Sequence, residues 1–391
     1  MARVLVSGAS VAGPTLAFWL RHHGFEVTVV EKAGAVRGGG YPIDIRGTAV
    51  EVVDRMGLLP RVAAKHIDTR QLTFVDVDGR EVGTIRPEEV TGGVEGRDLE
   101  LPRGDLTDVL YDAVRDRVDF RFGDSIAALT EHGTGVDVVF RGGDRATFDL
   151  VIGADGLHSG TRRLAFGPEA DHLRHLGYCF AGFTMPNHLG LAHGGITWNT
   201  PGKAGVLYAA GASDRLHAFL TFSSPEPPAG AHRDPAAQRE LVAAEFAGHG
   251  WEIPRIVAAM RAADDLFFDV VSQIHLPAWS TGRVALVGDA AHAPSFLSGQ
   301  GSSIALVGAY VLAGELATHA DHTEAFAAYE RGLRGFVERN QALATGGAPT
   351  IIPRTAEELR LRNAALADPT LLPGRTSREV TTALALADYA A

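Results

Sequence analysis

Apolar runs, helical spacing and one-in-two alternation follow one another along this chain in an informative order. Residues 4–7 form a short apolar run that predicts a buried strand, and Val11, Leu16, Trp19 and Leu20 recur at helical spacing, predicting a helix over 11–23. A second strand is predicted at 25–30, and far downstream 284–287 gives another, followed by a long apolar helix at 302–316. Strands alternating with helices suit a parallel sheet covered by helices. The middle of the chain reads differently. Residues 71–77 and 81–85 are joined by Asp78-Gly79, a hairpin signal, and apolar and polar positions alternate over 180–185, 195–198, 205–210 and 216–222. That pattern suits an antiparallel sheet with one covered face. A loop at 225–235 leads into helices expected at 236–247 and 254–263, and helical patches follow Pro353.

The first strand and helix are separated by Gly8, Ser10 and Gly13, a tight turn. The helix start behind it, with unpaired N–H groups and the positive end of the helix dipole, faces outward as an anion site. Glu31 ends the second strand about twenty residues beyond the turn, where a carboxylate can accept bonds from both hydroxyls of a ribose. Gly8, Ser10, Val11, Ala12 and Gly13, with Glu31 and its neighbour Lys32, therefore read as a dinucleotide site. Ser10 stands where the usual fingerprint has its second Gly, a mild change because a small hydroxyl can itself donate to phosphate.

The stretch from Gly282 to Gly301 extends this reading. Asp289 closes the 284–287 strand where a polyol chain would lie, and the Gly299-Gln300-Gly301 loop opens the long apolar helix. The start of that helix would face the N1/C2 carbonyl edge of a flavin, which becomes negative on reduction. The alternative is an N-cap aspartate and a glycine turn. Taken together, the two stretches point to FAD, held non-covalently because no Cys or His stands in a recognisable flavin-attachment motif.

With these residues in view, the chain resembles the single-component (group A) FAD-dependent aromatic hydroxylases, the flavoprotein monooxygenases that include para-hydroxybenzoate hydroxylase and the tetracycline-inactivating enzymes. Residues 148–163, FDLVIGADGLHSGTRR, are similar to the family's DG segment, with Asp155, Gly156, Ser159 and Arg162 in place. The resemblance puts this segment beside the FAD pyrophosphate, makes Arg162 a candidate for the nicotinamide nucleotide, and makes Arg103, in Leu-Pro-Arg-Gly-Asp-Leu, a cofactor contact. Asp44 falls where relatives place a strand beside the isoalloxazine, with Arg46 reaching the flavin or a substrate oxygen; an Asp44/Arg46 ion pair is the alternative. The family pattern also implies NADPH or NADH as transient reductant, O2 as co-substrate, and oxygen transfer through a flavin C4a-hydroperoxide, with no acid–base residue required. Two positions depart from it. Phe296 stands where relatives commonly have Pro, and Ser303 where they have Asn. Phe296, Gly299, Gln300 and Gly301 are thus expected at the flavin's reactive edge.

The expected fold is α/β (α+β overall), a Rossmann-like FAD-binding domain with an interleaved substrate lobe on an antiparallel β-sheet and C-terminal helices. The FAD-binding domain takes residues 1–69, 98–171 and 276–345, the substrate-binding domain 70–97 and 172–275, and a C-terminal helical segment 346–391. The 391 residues carry a net charge of −11, which argues against nucleic acid as partner. A lone Cys179 leaves no intrachain disulfide. No signal-peptide pattern and no apolar run long enough for a bilayer is evident, so a cytoplasmic protein, monomer or homodimer, is expected.

For the substrate, the lobe's aromatic residues Phe180, Phe183, Trp198, Tyr208, Phe219 and Phe222, together with Phe296, favour a flat apolar molecule, aromatic or polyketide-like. Arg37 is a further candidate for the reductant's phosphates. No metal is expected: His172 and His175 have helical spacing but no carboxylate to complete a site. Two other functions remain open, a flavin-dependent halogenase, to whose tryptophan signature residues 250–254 are faintly similar, and a non-catalytic FAD protein that binds a small molecule.

Overall fold

The computed structural model describes the chain apart from residues 37, 95, 229–233 and 390–391 and the side chains of 347–349 and 369. Its first sheet has six strands in the order Ser280–Thr281, Val284–Leu286, Leu150–Gly153, Arg3–Ser7, Glu26–Glu31 and Asp119–Phe122. All neighbours are parallel except the first pair. Covering on both faces explains why its central strands, Arg3–Ser7, Leu150–Gly153 and Val284–Leu286, are near-continuous apolar runs, while the edge strands carry polar residues. Val4 and Val6 pack in the same core as helices Ala12–His22 and Gly301–Thr318, while Leu5 faces a three-stranded antiparallel sheet through Ile126, Val136, Val138, Phe140 and Phe148.

The second sheet has seven strands, ordered Phe267–Ile274, Leu173–Pro186, Arg215–Ser223, Lys203–Ala209, Gly194–Thr200, Gln71–Val75 and Glu81–Ile85. The hairpin expected at 71–85 forms and adds to it through a parallel pairing with Gly194–Thr200, so two distant segments complete one sheet. Alternation sorts its residues. Cys179, Ala181, Phe183, Met185, Trp198, Leu207, Leu220 and Phe222 face helices Pro235–Glu245 and Ile253–Ala262. Tyr178, Phe180 and Phe219 face the other way, toward Tyr41 and Leu297. A two-stranded ribbon, Pro42–Ile45 against Leu99–Pro102, stands between the two sheets in sequence.

Three expectations need correction. The spacing of His172 and His175 is not helical: His172 caps a short 3₁₀ turn and His175 lies in the strand Leu173–Pro186, each ring bonded to a backbone carbonyl. The helix His322–Ile351 runs straight through residue 345, so the chain has no break there. Gly301–Thr318 is, by length and mean hydropathy (1.3), apolar enough to cross a bilayer, yet 72% of it is buried inside the protein as a core helix. Beyond it the chain straps both halves together: Asn199 Nδ2 donates to Ile351 O (3.0 Å), Gly202 N–H to Pro353 O (2.7 Å), and Thr48 Oγ1 to Leu384 O (2.8 Å).

Candidate active site

The turn after the first strand is built by backbone contact. Gly8 has φ 110°, and a Cβ there or at Gly13 would overlap the carbonyl of Ala154 or of Gly8 respectively. The helix Ala12–His22 begins at Val11 without a side-chain cap, leaving its first N–H groups available to an anion beside the half-buried Ser10. Glu31, buried, accepts the Ala9 N–H and the Ala33 N–H, each at 2.9 Å. Its carboxylate therefore anchors the turn to the strand end, and each oxygen keeps a second acceptor position for a ribose hydroxyl. Lys32 is exposed beside it. Arg37 lies outside the described residues.

The DG segment is held from within. Asp155 accepts from Thr161 N–H (2.9 Å), Thr161 Oγ1 (3.0 Å) and Ser159 Oγ, and Ser159 Oγ in turn caps the helix Gly160–Phe166 by accepting Arg162 N–H. Asp155 thus shapes its loop with its own oxygens. Arg162 is fully buried, donating to Ala290 O at 3.0 Å, Leu157 O at 2.6 Å and Glu169 Oε2 at 2.9 Å. The expectation that it meets a transient nucleotide is not matched by this position; it clamps the DG segment to the turn at Asp289. His158 bridges Glu169 (2.9 Å) and Asp269 (3.2 Å), and those two carboxylates, Asp269 first, raise its pKa to about 9 against the effect of burial.

At the far end, a Cβ on Gly288 would come 3.0 Å from Ala12 Cβ, so the two motifs that bracket the chain touch. Burial raises the Asp289 carboxyl to about 6, with Arg162 opposing. The helix Gly301–Thr318 has no side-chain cap, and the buried Gln300 Oε1 has no partner within the protein. An open helix start, an orphaned amide oxygen and a carboxylate facing a glycine form a donor and acceptor set that fits a flavin. Gly299 borders the Asp44/Arg46 pair, which is formed at 2.5 Å. Arg103 opens the helix Arg103–Asp112, its guanidinium lying across Gly40 next to Tyr41.

Beside the Gly299–Gly301 loop the rings form an aromatic wall. Phe180 stacks on Phe296 (centroids 4.1 Å) and on Phe219 (5.6 Å), with Tyr41 edge-on to all three at 5.7–6.1 Å and Phe267 beside it at 6.2 Å. Burial, with Asp289 and Asp269 adding to it, raises the Tyr41 pKa to about 12. Tyr208, from the same sheet face, meets Thr69 Oγ1, which donates to Glu100 Oε2 at 2.8 Å. Sequence reasoning picked Phe180, Phe219, Phe296 and Tyr208 but missed Tyr41, Phe267, Thr69 and Glu100. The strand alternation carried the signal for Phe267, whereas Glu100 sits in a ribbon too short to declare its face.

Residues 1–341 match the FAD binding domain family. A flavin-dependent monooxygenase from an unknown prokaryotic organism is 41% identical over 365 residues, 92% of this chain and 94% of that one. This chain belongs to that family. It is also similar to Rv1260 of Mycobacterium tuberculosis, 45% identical over 362 residues (92% and 96% of the two chains). The solved structure of tetracycline destructase Tet(55) superposes with a TM-score of 0.87 at 37% identity, over 100% of this chain and 99% of that one.

As a flavoprotein monooxygenase, the chain handles its two departures differently. Ser303 Oγ accepts Arg46 N–H and donates to Asp44 O, both at 3.2 Å, tying the ribbon to the helix. Phe296, 38% exposed, follows Ser295, whose φ of 84° is strained for a residue with a side chain. Phe183, Trp198 and Phe222 are corrected from substrate contacts to core: all three lie on the helix-covered face of the second sheet, Trp198 with no exposed surface. Trp251, the residue behind the halogenase comparison, packs on the same side against Gly79 of the hairpin turn.

Proposed function

We propose that this monooxygenase oxygenates an aromatic or polyketide-like small molecule, using NADPH or NADH and O2. The observation that carries this reading is the aromatic wall of Phe180, Phe219, Phe267 and Phe296 around Tyr41, set beside the Gly299–Gly301 loop. Bound FAD would supply the chemistry, taking electrons from the nicotinamide nucleotide and activating O2. Gly8, Ser10, Val11, Ala12 and Gly13 would hold its pyrophosphate, Glu31 its adenosine ribose, and Asp289 its ribityl chain. The uncapped start of Gly301–Thr318 and Gln300 would favour negative charge at the ring's pyrimidine edge. The aromatic wall would orient a flat ligand and exclude water around the reacting carbon. The likeness to a tetracycline destructase supports a polycyclic ligand, as does a wall that offers ring faces rather than charges.

The reading is tested by adding polycyclic phenols and tetracyclines to the FAD-loaded enzyme with NADPH or NADH under 18O2. Accelerated nicotinamide oxidation with a product carrying one labelled oxygen is expected. Label arriving from H2 18O, a chlorinated product, or peroxide without product across the panel would overturn it, the last in favour of a binding protein.

A further inference from the structure

The ribbon beside the Gly299–Gly301 loop carries two carboxyl groups that share one arginine. Asp44 and Glu100 are directly opposed in the antiparallel ribbon, and Arg46 bonds Asp44 at 2.5 Å, with Asp44 and Arg46 only 21% and 9% exposed. Glu100 is bonded instead to hydroxyl groups. Its carboxyl accepts Thr69 Oγ1 at 2.8 Å and bonds the Tyr208 hydroxyl, which reaches across from the second sheet. Two carboxyl groups so placed do not ionise with equal ease: the one paired with the guanidinium takes the charge and the other keeps its proton. In agreement, burial first and the charge of Asp44 second raise the Glu100 pKa to about 7, against the bonds from Thr69 and Tyr208 and the more distant Arg46.

We propose that Glu100 is a specificity-determining residue that acts as a neutral carboxylic acid, donating a hydrogen bond to a carbonyl oxygen of a ligand held against the aromatic wall, since its ribbon partner Asp44 lies beside Gly299. This rests on reading the aromatic wall as a site for a flat aryl ligand. The protonated carboxyl has one O–H to give, and both hydroxyls around it, Thr69 and Tyr208, are already engaged with it or with each other. A ligand carbonyl offers this O–H a stronger acceptor than the hydroxyl oxygens around it do. Once ionised, Glu100 would present a second negative charge beside Asp44 and turn an acceptor oxygen away.

The other groups facing Glu100 do not reproduce this behaviour. Asp44 and Arg46 are held together as an ion pair. Tyr208 is pushed well above its ordinary range by burial and by Glu100 itself. His217, paired with Tyr208 across the sheet, is lowered by burial, and His66 touches only the Glu100 backbone, accepting its N–H at 3.1 Å.

The probe is xanthone, a planar tricyclic aryl ketone with no titrating group between pH 5 and 9, bound to the oxidised FAD-loaded enzyme and followed by calorimetry. Wild-type affinity should be flat up to pH 6 and fall by about tenfold per unit above pH 7, with a proton taken up on binding at pH 8 in paired buffers. Glu100→Gln keeps the shape and a neutral donor, so it should bind as tightly at pH 9 as the wild type does at pH 6, with no proton uptake. Tyr208→Phe should keep the pH dependence. Wild-type binding as tight at pH 9 as at pH 6, or the same pH dependence in Glu100→Gln, overturns the proposal while leaving the aryl site in place. Absence of xanthone binding to either protein at every pH overturns the reading of the wall and the proposal with it.

Discussion

Phe296 lies against Phe180 with ring centroids 4.1 Å apart and planes 29° from parallel, a stacked pair joining the loop before Gly301–Thr318 to the second sheet. Phe180 is 2% exposed and Phe296 38%, so one ring is fixed by the sheet and the other stands at the surface.

Phe296→Ala removes the outer ring and leaves the fixed one. Such a stack contributes about 0.5–1.5 kcal/mol beyond area burial. The expected result is a severalfold higher KM for an aromatic substrate, FAD affinity and melting temperature near wild type, and more peroxide released per NAD(P)H consumed. Trp198→Ala should do the reverse, costing about 3–5 kcal/mol of stability from the helix-covered core without a specific KM effect. Denaturant titration beside steady-state kinetics separates the two; a KM change confined to the Trp198 variant would reverse the assignment of the sheet's faces.

Arg162→Met tests the buried clamp. The guanidinium holds Ala290 O, Leu157 O and Glu169; its removal leaves the two carbonyls without that donor, at about 1–3 kcal/mol each, while Glu169 keeps His158. FAD should dissociate more readily because Ala290 follows Asp289, while the KM for NADPH in the FAD-saturated variant should hardly move. A large KM increase for NADPH with unchanged stability would restore Arg162 to the reductant site.

Local signals made much of the fold, and the turns that shape the candidate site, readable. Gly8, Gly13, Glu31 and the Gly288-Asp289 turn each answer to a backbone or acceptor requirement that spacing alone expresses. The face of an individual aromatic was harder. Alternation separates Phe180 from Phe183 but does not say which set meets helices and which meets Tyr41 and Leu297, because that depends on Pro235–Glu245 and Ile253–Ala262 docking from later in the chain. Arg162 entered by resemblance alone, and its burial depends on Leu157, Glu169 and Ala290, which only the fold brings around it. Glu100 and Tyr208 are 108 positions apart, and nothing in either neighbourhood announces the other.

His158 should make the join between the DG segment and the second sheet sensitive to alkali. Its folded pKa of about 9 lies above the unfolded 6.5, so its contribution is fully present below pH 6.5 and is lost as pH rises through 9. Because the ring is 42% exposed, solvent screening reduces that contribution to about 1 kcal/mol. Wild-type stability measured from pH 6 to 9.5 should therefore fall more steeply than that of His158→Gln, the two curves converging at the alkaline end. Parallel curves would mean that the two carboxylates bind the imidazole no better than water does.

Glu31 has two tasks that one substitution can tell apart. Both of its oxygens accept backbone N–H groups, from Ala9 and Ala33, so Glu31→Ala should destabilise the apoprotein as well as weaken FAD binding. Charge-assisted bonds of this kind are worth about 1.5–3 kcal/mol each. If the carboxylate also takes the ribose hydroxyls, FAD affinity must fall by more than loosening of the turn accounts for. The comparison is with Gly13→Ala, which disturbs the same turn through overlap with the Gly8 carbonyl but leaves the carboxylate in place. Apoprotein denaturation and FAD titration on both variants give two coordinates for each. A Glu31 variant falling well below Gly13→Ala in FAD affinity at matched loss of stability supports direct ribose contact, because only a lost ligand bond separates binding from folding in this way. Both variants falling on one line would make Glu31 a brace for the turn and nothing more.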